Sequence, residues 1–315
     1  GVYNGGVLAY RTDVFDQLNL SPPETWSELL EACQAIDEDD SIEMEPIAIA
    51  GKNQGKSHLD TYTWLCTSGG GTFQWKSDAQ EEAELWFDED HVFETLEFLN
   101  QLVEYAPDPA GHGWSNVFDW WAAGRVAMHI DLNAWIVGSS GISLDSPEVA
   151  KNSDVTTMPI REGSDPIDRG WKHIDGYFMT KNADSLDAGK NFIQYLYGNV
   201  DRAAKNYTVE PTRFIPAWQS VFESDAYQNA EPFQRLDGHL LDLNKKINSE
   251  ISPTLDSPER ARTPATFYTR AFHWGAKMIN AYLVQGKSLQ ESYDIGREIL
   301  ETRFNEGQEK FQEGL

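Results

Sequence analysis

Gly5–Leu29 reads GGVLAYRTDVFDQLNLSPPETWSEL, and the order of residue types in it sets the architecture. The apolar run Gly5–Tyr10 predicts a short buried strand, because a strand covered on both faces has no need of polar alternation. Thr12-Asp13-Val14-Phe15 predicts a short helical turn, which Ser21-Pro22-Pro23 ends. Thr25 and Glu28 then have the spacing of a capping box: the hydroxyl accepts from a free amide while the glutamate reaches back to the first one. Behind that cap, Trp26, Leu29, Leu30, Cys33 and Ile36 share one helical face. A buried strand feeding an amphipathic helix is the unit of an α/β protein.

The same alternation continues along the rest of the chain. Strands are expected at Pro46–Ala50, Val126–Ile130, Val155–Ile160 and Tyr177–Met179. Helices are expected at Leu59–Cys66, stopped by Gly69-Gly70-Gly71, at Val92–Val103 and at Val117–Gly124. A further helix runs from Ser185 to Gly198, with Ala188, Phe192, Ile193 and Leu196 on one side. Two late helices follow, Pro264–Leu283 and Leu289–Phe304, the second with its own capping pair, Ser288 and Glu291.

Charge excludes several partners. The 315 residues carry 51 Asp and Glu against 25 Lys and Arg, a formal charge of −26. Such a surface repels nucleic-acid backbones and anionic lipid headgroups. The acids are dispersed rather than gathered in a tail. That pattern fits a protein kept soluble in high salt, and equally an ordinary acidic secreted protein. No apolar run approaches the length needed to span a bilayer. Gly1 begins no signal peptide, so a preceding segment is expected to have been removed.

A search for catalysis finds little. There is no phosphate-cradling loop, no Gly-x-Ser-x-Gly elbow and no His-Glu-x-x-His. Cys33 and Cys66 lack metal or redox spacing and read as buried thiols, although a disulfide between them stays open. His129-Ile130-Asp131 and His173-Ile174-Asp175 repeat a tripeptide whose outer side chains share a strand face, but neither copy has a third ligand. With so many acids, no carboxylate pair argues for a glycosidase. The expectation is a non-enzyme without metal or cofactor. The 11 tryptophans say more. Trp64, Trp135 and Trp171 stand beside chain turns, where an indole face suits a sugar ring. Trp26, Trp86 and Trp121 read as core.

Four stretches resemble the extracellular solute-binding proteins of ATP-driven importers, in the cluster that includes maltose-binding proteins. Val7–Phe15 running to Pro22–Leu29 is similar to that family's YNKDLF…PPKTWDEL signature. Trp121-Ala122-Ala123-Gly124-Arg125-Val126-Ala127-Met128 with Trp135 resembles its F-x-x-G-K-A-A-M segment followed by Gly-x-Trp. Here Asn133 stands where a glycine is usual and Trp135 arrives one residue late. Asp175–Asn182 with the helix to Leu196, and the late helices around Ile279-Asn280-Ala281, complete the match.

The resemblance implies a type II periplasmic-binding-protein-like α/β fold, two lobes joined by hinge crossings, with lobe one incomplete. Residues 1–9 would form a hinge strand, 10–165 the first part of lobe two, 166–240 a lobe-one segment and 241–315 the helices returning to lobe two. It further implies a monomer outside the cell or in the periplasm, lipid-anchored through a segment upstream or free. Such a protein would bind a carbohydrate reversibly and deliver it to the transmembrane subunits of an ABC permease. The same fold could take a polyol phosphate, a peptide or a polyamine, and a secreted carbohydrate hydrolase is the rival outside the family. Ligand contacts carried over from the family are Tyr3, Asn4, Trp64, Trp135, Trp171, Asp175, Arg213, Tyr268 and Arg270.

Overall fold

The computed structural model describes residues 2–79, 81–165, 170–174, 176–177, 179–180, 182–251, 261 and 263–312. The chain opens with strand β1 (Val2–Arg11), followed at once by α1 (Thr12–Leu18) and then α2 (Trp26–Asp37). The capping box forms: the Thr25 hydroxyl accepts the Glu28 N–H at 3.2 Å, and the Glu28 carboxylate accepts the Thr25 N–H at 3.3 Å. Trp26, Leu29, Cys33 and Ile36 are buried behind it, each apolar side chain contributing about 1.5–3 kcal/mol.

Next come β2 (Glu45–Ala48), α3 (Gly55–Thr67), a small hairpin of β3 (Phe73–Trp75) and β4 (Ala83–Leu85), and α4 (Glu89–Val103). They are followed by α5 (Trp114–Ala122), β5 (Val126–Leu132), α6 (Trp135–Ile142), α7 (Pro147–Lys151), β6 (Ser153–Thr157) and β7 (Trp171–Ile174). The main sheet has the order β2-β5-β1-β6, and β7 also pairs with β1. β2 runs parallel to β5, while β5, β6 and β7 are all antiparallel to β1.

One edge of β1 is divided between two partners. Val7–Arg11 pairs with β6, and Val2–Gly5 pairs with β7. Gly6 falls in the gap. On the opposite edge the β5 register shifts between Gly5 and Val7. Gly6 has φ 105, a value that favours glycine. Both ladders of β1 are thus interrupted at the same residue.

The core follows the strand alternation. Val7 and Ala9 face one cluster with Val155, Trp121 and Val137. Leu8 and Tyr10 face the other, with Leu29, Cys33, Ile47, Phe98 and Met128. A third cluster joins α3 and the hairpin to the late helices through Tyr62, Phe73, Trp274 and Phe304. Cys33 and Cys66 are both buried and free.

Helix α8 (Leu186–Tyr197) has Gly198 at its end, as expected, and no buried residue. Phe192 and Tyr195 are 55% and 61% exposed. From α9 (Val200–Tyr207) the chain packs again. Short helices α10 (Gln219–Phe222), α11 (Asp225–Gln228) and α12 (Glu231–Gln234) lead to α13 (His239–Lys246). Residues of 203–240, expected in a lobe-one segment, share a core with Val7, Ala9 and Val155.

Two expectations about elements need correction. Tyr177 and Met179 are not in a strand, Phe178 lies outside the described residues, and the pairing strand is β7, further upstream. The helix expected over 264–283 breaks into α14 (Pro264–Arg270) and α15 (Trp274–Ile279), continued by a π turn at Asn280–Val284. His273 at the break has φ 50. The chain ends in α16 (Leu289–Gln312), whose Ser288–Glu291 cap forms as expected. Among the described residues, no helix is long and apolar enough to cross a membrane.

Candidate functional site

The corner between β5 and α6 is built tightly. The Asp131 carboxylate accepts the N–H of Leu132 and of Ile136, both at 2.7 Å, which satisfies an amide in the first turn of α6. Burial pushes this carboxyl up to about 7, against those two bonds and the Lys56 charge. Asn133, fully buried, takes a left-handed conformation with φ 58. Its side-chain amide donates to the Arg213 carbonyl at 2.7 Å. Trp135 begins α6 directly after this turn.

Arg213 lies on the indole so presented. Its guanidinium is 3.9 Å from the Trp135 ring centre, and Nη1 donates to Glu210 at 2.9 Å. Gly138, on α6, explains the close seating of the Arg213 loop. A Cβ at that position would meet the Thr212 hydroxyl at 1.9 Å.

Trp114 at the start of α5 lies 5.0 Å from Trp135, and Phe118 lies 4.9 Å from it at a steep angle. The i, i+4 spacing of Trp114 and Phe118 puts both on one helix face. Behind Trp114 is a buried ion pair: Lys56 donates to Asp60 at 2.5 Å and to the Ile130 carbonyl at 3.0 Å, and stands 5.3 Å from the Trp114 ring. Burial raises the Asp60 pKa, and the Lys56 charge opposes it. His129 Nδ1–H donates to the Ala48 carbonyl at 3.0 Å, and burial holds the ring neutral. His129 and Asp131 therefore serve the frame of the site.

At Gly55, the first residue of α3, Trp114 and the late helices converge. A Cβ there would lie 3.9 Å from Trp114 Nε1 and 3.8 Å from His273 Nε2. The His273 ring is 5.6 Å from His58, which also meets Trp274 edge-on at 5.4 Å. His58 Nδ1 accepts the Gly275 N–H at 3.3 Å. Burial, then the charges of His273 and Arg270, push His58 down to about 3, so it is a neutral ring at ordinary pH. Arg270 donates to the Tyr62 hydroxyl at 3.1 Å and lies 6.0 Å from the Trp171 ring. Trp171 Nε1–H donates to the Thr63 hydroxyl at 3.0 Å.

These neighbours make one band, from Arg213 through Trp135 and Trp114 to His273, and on through His58, Trp274 and Tyr62 to Arg270 and Trp171. A pocket of about 490 Å³ adjoins its Arg213 end, walled by Tyr177, Tyr197, Tyr207, Asn206 and Glu210. Burial raises the pKa of both Tyr197 and Tyr207, so these phenols keep their protons. Asn206 donates to the Tyr197 hydroxyl at 3.0 Å. Aromatic faces beside fixed donors and acceptors hold a polar ring without reacting with it.

The residues named from sequence fall in different places. Trp135 with Arg213 stands part-exposed at one end, whereas Trp171 beside Arg270 at the other end is only 4% exposed and belongs to the third core cluster with Tyr62. Trp64 is 1% exposed and packs edge-on against Phe98 in the core. Tyr268 turns to α16, where its hydroxyl accepts from Lys310 at 2.5 Å. Tyr3 and Asn4 lie on β1 opposite His173 and Lys172 of β7. Asp175 lies outside the described residues. Sequence reasoning passed over Trp114, Phe118, His58, His273 and the pocket tyrosines. The Trp114/Phe118 spacing was a usable signal, while the histidines, far apart in sequence, gave none.

The fold has counterparts among known proteins. The profile of the family described as bacterial extracellular solute-binding protein matches residues 1–203. A search of curated protein sequences returns no match. Among solved structures, a sugar transporter from Arthrobacter chlorophenolicus A6 with bound laminaribiose is similar at TM-score 0.71 and 17% identity. The alignment covers 96% of this chain and 70% of that one. Maltose-bound T. maritima MalE3 is similar at TM-score 0.70 and 16% identity, covering 95% and 70%. An ABC transporter solute-binding protein from Agrobacterium vitis S4 with bound D-mannitol gives 0.63 and 19%, covering 97% and 72%. The α/β fold is thus the periplasmic-binding-protein fold, matched over about 70% of the length of these structures. The chain belongs to the bacterial extracellular solute-binding protein family, whose members are non-enzymatic components of transporters.

Proposed function

We propose that the chain captures a small neutral carbohydrate or polyol beside Arg213, at the exposed end of the band, and hands it to the permease of an ABC importer. The observation that carries this reading is the Arg213–Trp135 pair with Glu210 beside it. The aromatic rings of the adjoining pocket, a cation with several N–H donors and a carboxylate acceptor supply what a ring with axial C–H groups and equatorial hydroxyls requires. The adjoining space of about 490 Å³ lies within the usual range of small-ligand sites, about 300–1,000 Å³. The ligands bound in the similar structures, laminaribiose, maltose and D-mannitol, belong to the same chemical class. Closure would follow from a ligand touching elements on both sides of the β1–β7 crossing.

Titration with laminaribiose, maltose, D-mannitol and ribitol tests it, read by tryptophan emission and by thermal unfolding. A ligand that binds only the folded chain raises its melting temperature with concentration. The expected result is a saturable emission change with a matching thermal shift for at least one of the four and no released product. Absence of both signals for all four, or release of a hydrolysed sugar, would overturn the reading.

A further inference from the structure

Asn133 stands at the turn between β5 and α6, and its backbone explains why so few residues fit there. A left-handed φ of 58 is costly for most side chains and open to glycine and asparagine. Conformation alone would be served equally well by either. The asparagine amide adds something a glycine lacks: its hydrogen bond at 2.7 Å to the carbonyl of Arg213, eighty positions along the chain.

That bond acts on a loop already seated by shape. Thr212 rests on α6 where Gly138 leaves room, and the Arg213 guanidinium lies 3.9 Å over Trp135. Asn133 therefore joins the turn that presents Trp135 to the backbone that presents Arg213. Asn133 is fully buried and the bond part-buried, so water only partly replaces a lost donor at the Arg213 carbonyl.

We propose that Asn133 is a positioning residue of the ligand site, whose amide fixes Arg213 over Trp135 and so sets the separation of the cationic donor from the aromatic face. This rests on the reading that Trp135 and Arg213 contact the ligand. Without the tether the turn persists, the arm swings, and ligands matched to one donor–face separation lose their advantage.

Two variants separate this role from a purely structural one. Asn133→Gly keeps the left-handed turn and removes the amide. Asn133→Asp keeps the size but sets an acceptor against the Arg213 carbonyl. In each background the Trp135 signal is the difference in emission between the chain and its Trp135→Phe partner, quenched by acrylamide. The expected result for Asn133→Gly is a melting temperature within a few degrees of the parent and quenching of the Trp135 signal increased about twofold. Arg213→Ala should show the same increase, and Asn133→Gly with Arg213→Ala no more than Arg213→Ala alone. Asn133→Asp should be quenched at least as readily as Asn133→Gly. Unchanged quenching in Asn133→Gly, or independent additive increases in the pair, would overturn the proposal.

Titration with laminaribiose, maltose and D-mannitol supplies the second readout. Whichever binds the parent should bind Asn133→Gly about tenfold more weakly, and equal affinity would also overturn it. If the parent binds none of them, the proposed ligand class fails while the quenching experiment still decides the role of Asn133.

Discussion

The Trp171 indole lies directly on the backbone of Gly5: a Cβ built at residue 5 would sit 2.0 Å from the ring. The contact joins β1 to β7 on the side facing Tyr62, 6.1 Å away, and the indole N–H is fixed by Thr63. The β1–β7 pairing and the buried end of the band therefore share a side chain.

Gly5→Ala should displace that indole. Overpacking a filled contact costs about 1–3 kcal/mol, so the expected outcome is a melting temperature lower by several degrees. A second expectation is loss of the Trp171–Thr63 bond, seen as a red shift in the emission difference against Trp171→Phe. Thermal melts with that difference spectrum check both.

Lys56→Met should be among the most damaging substitutions. It leaves the Asp60 carboxylate buried without its cation, a change that costs about 3–5 kcal/mol. Converting both members, Lys56→Met with Asp60→Leu, should recover most of the loss. Urea unfolding of the single and double variants measures the difference, and a double variant no better than the single would contradict the ion pair.

Asp131 gives a pH dependence with a definite sign. Its folded pKa, about 7, lies above the ordinary value of 3.8. The folded chain therefore holds this proton more tightly than the unfolded one. Its contribution is fully present below about pH 4 and is lost as pH rises toward and through 7. Asp131→Asn should abolish that component, so parent stability minus variant stability falls steadily from pH 4 to 7. The amide offers the Leu132 and Ile136 N–H groups one carbonyl oxygen where the ionised carboxylate offers two, a further loss of about 1 kcal/mol where the parent is ionised. Unfolding free energies at several pH values, compared as differences, check the slope.

Phe192→Glu tests the bare face of α8. Exposed aromatic groups gathered on one helix favour self-association, so the acidic variant should scatter less light at equal concentration and bind less of a hydrophobic dye. Its melting temperature should stay within a degree or two, because the side chain is already 55% exposed.

How far the sequence could be read depended on how local the cause was. The α2 cap and the face behind it were legible because Thr25, Glu28 and the Trp26–Ile36 stripe lie within a few turns of one another. The break at His273 was not, because what holds it, the His58 ring and the Gly275 N–H, comes from helices more than two hundred positions apart. Trp64 and Trp135 are the same residue type in similar positions beside a turn. Phe98 covers the first and a guanidinium lies on the second, and neither neighbour is adjacent in the chain. Trp135 and Arg213 were both named from sequence. The departure at Asn133 was equally visible, but its meaning waited for a backbone angle and a partner eighty residues away.

Gly6 separates the two halves of the longest strand, at a residue where neither flanking ladder is continuous. A rotation concentrated there would let β7 and what it carries swing against the remainder without tearing a row of amide bonds. Were the chain to flex on capturing the proposed ligand, Gly6 is the point where this strand could turn with the fewest backbone bonds to break.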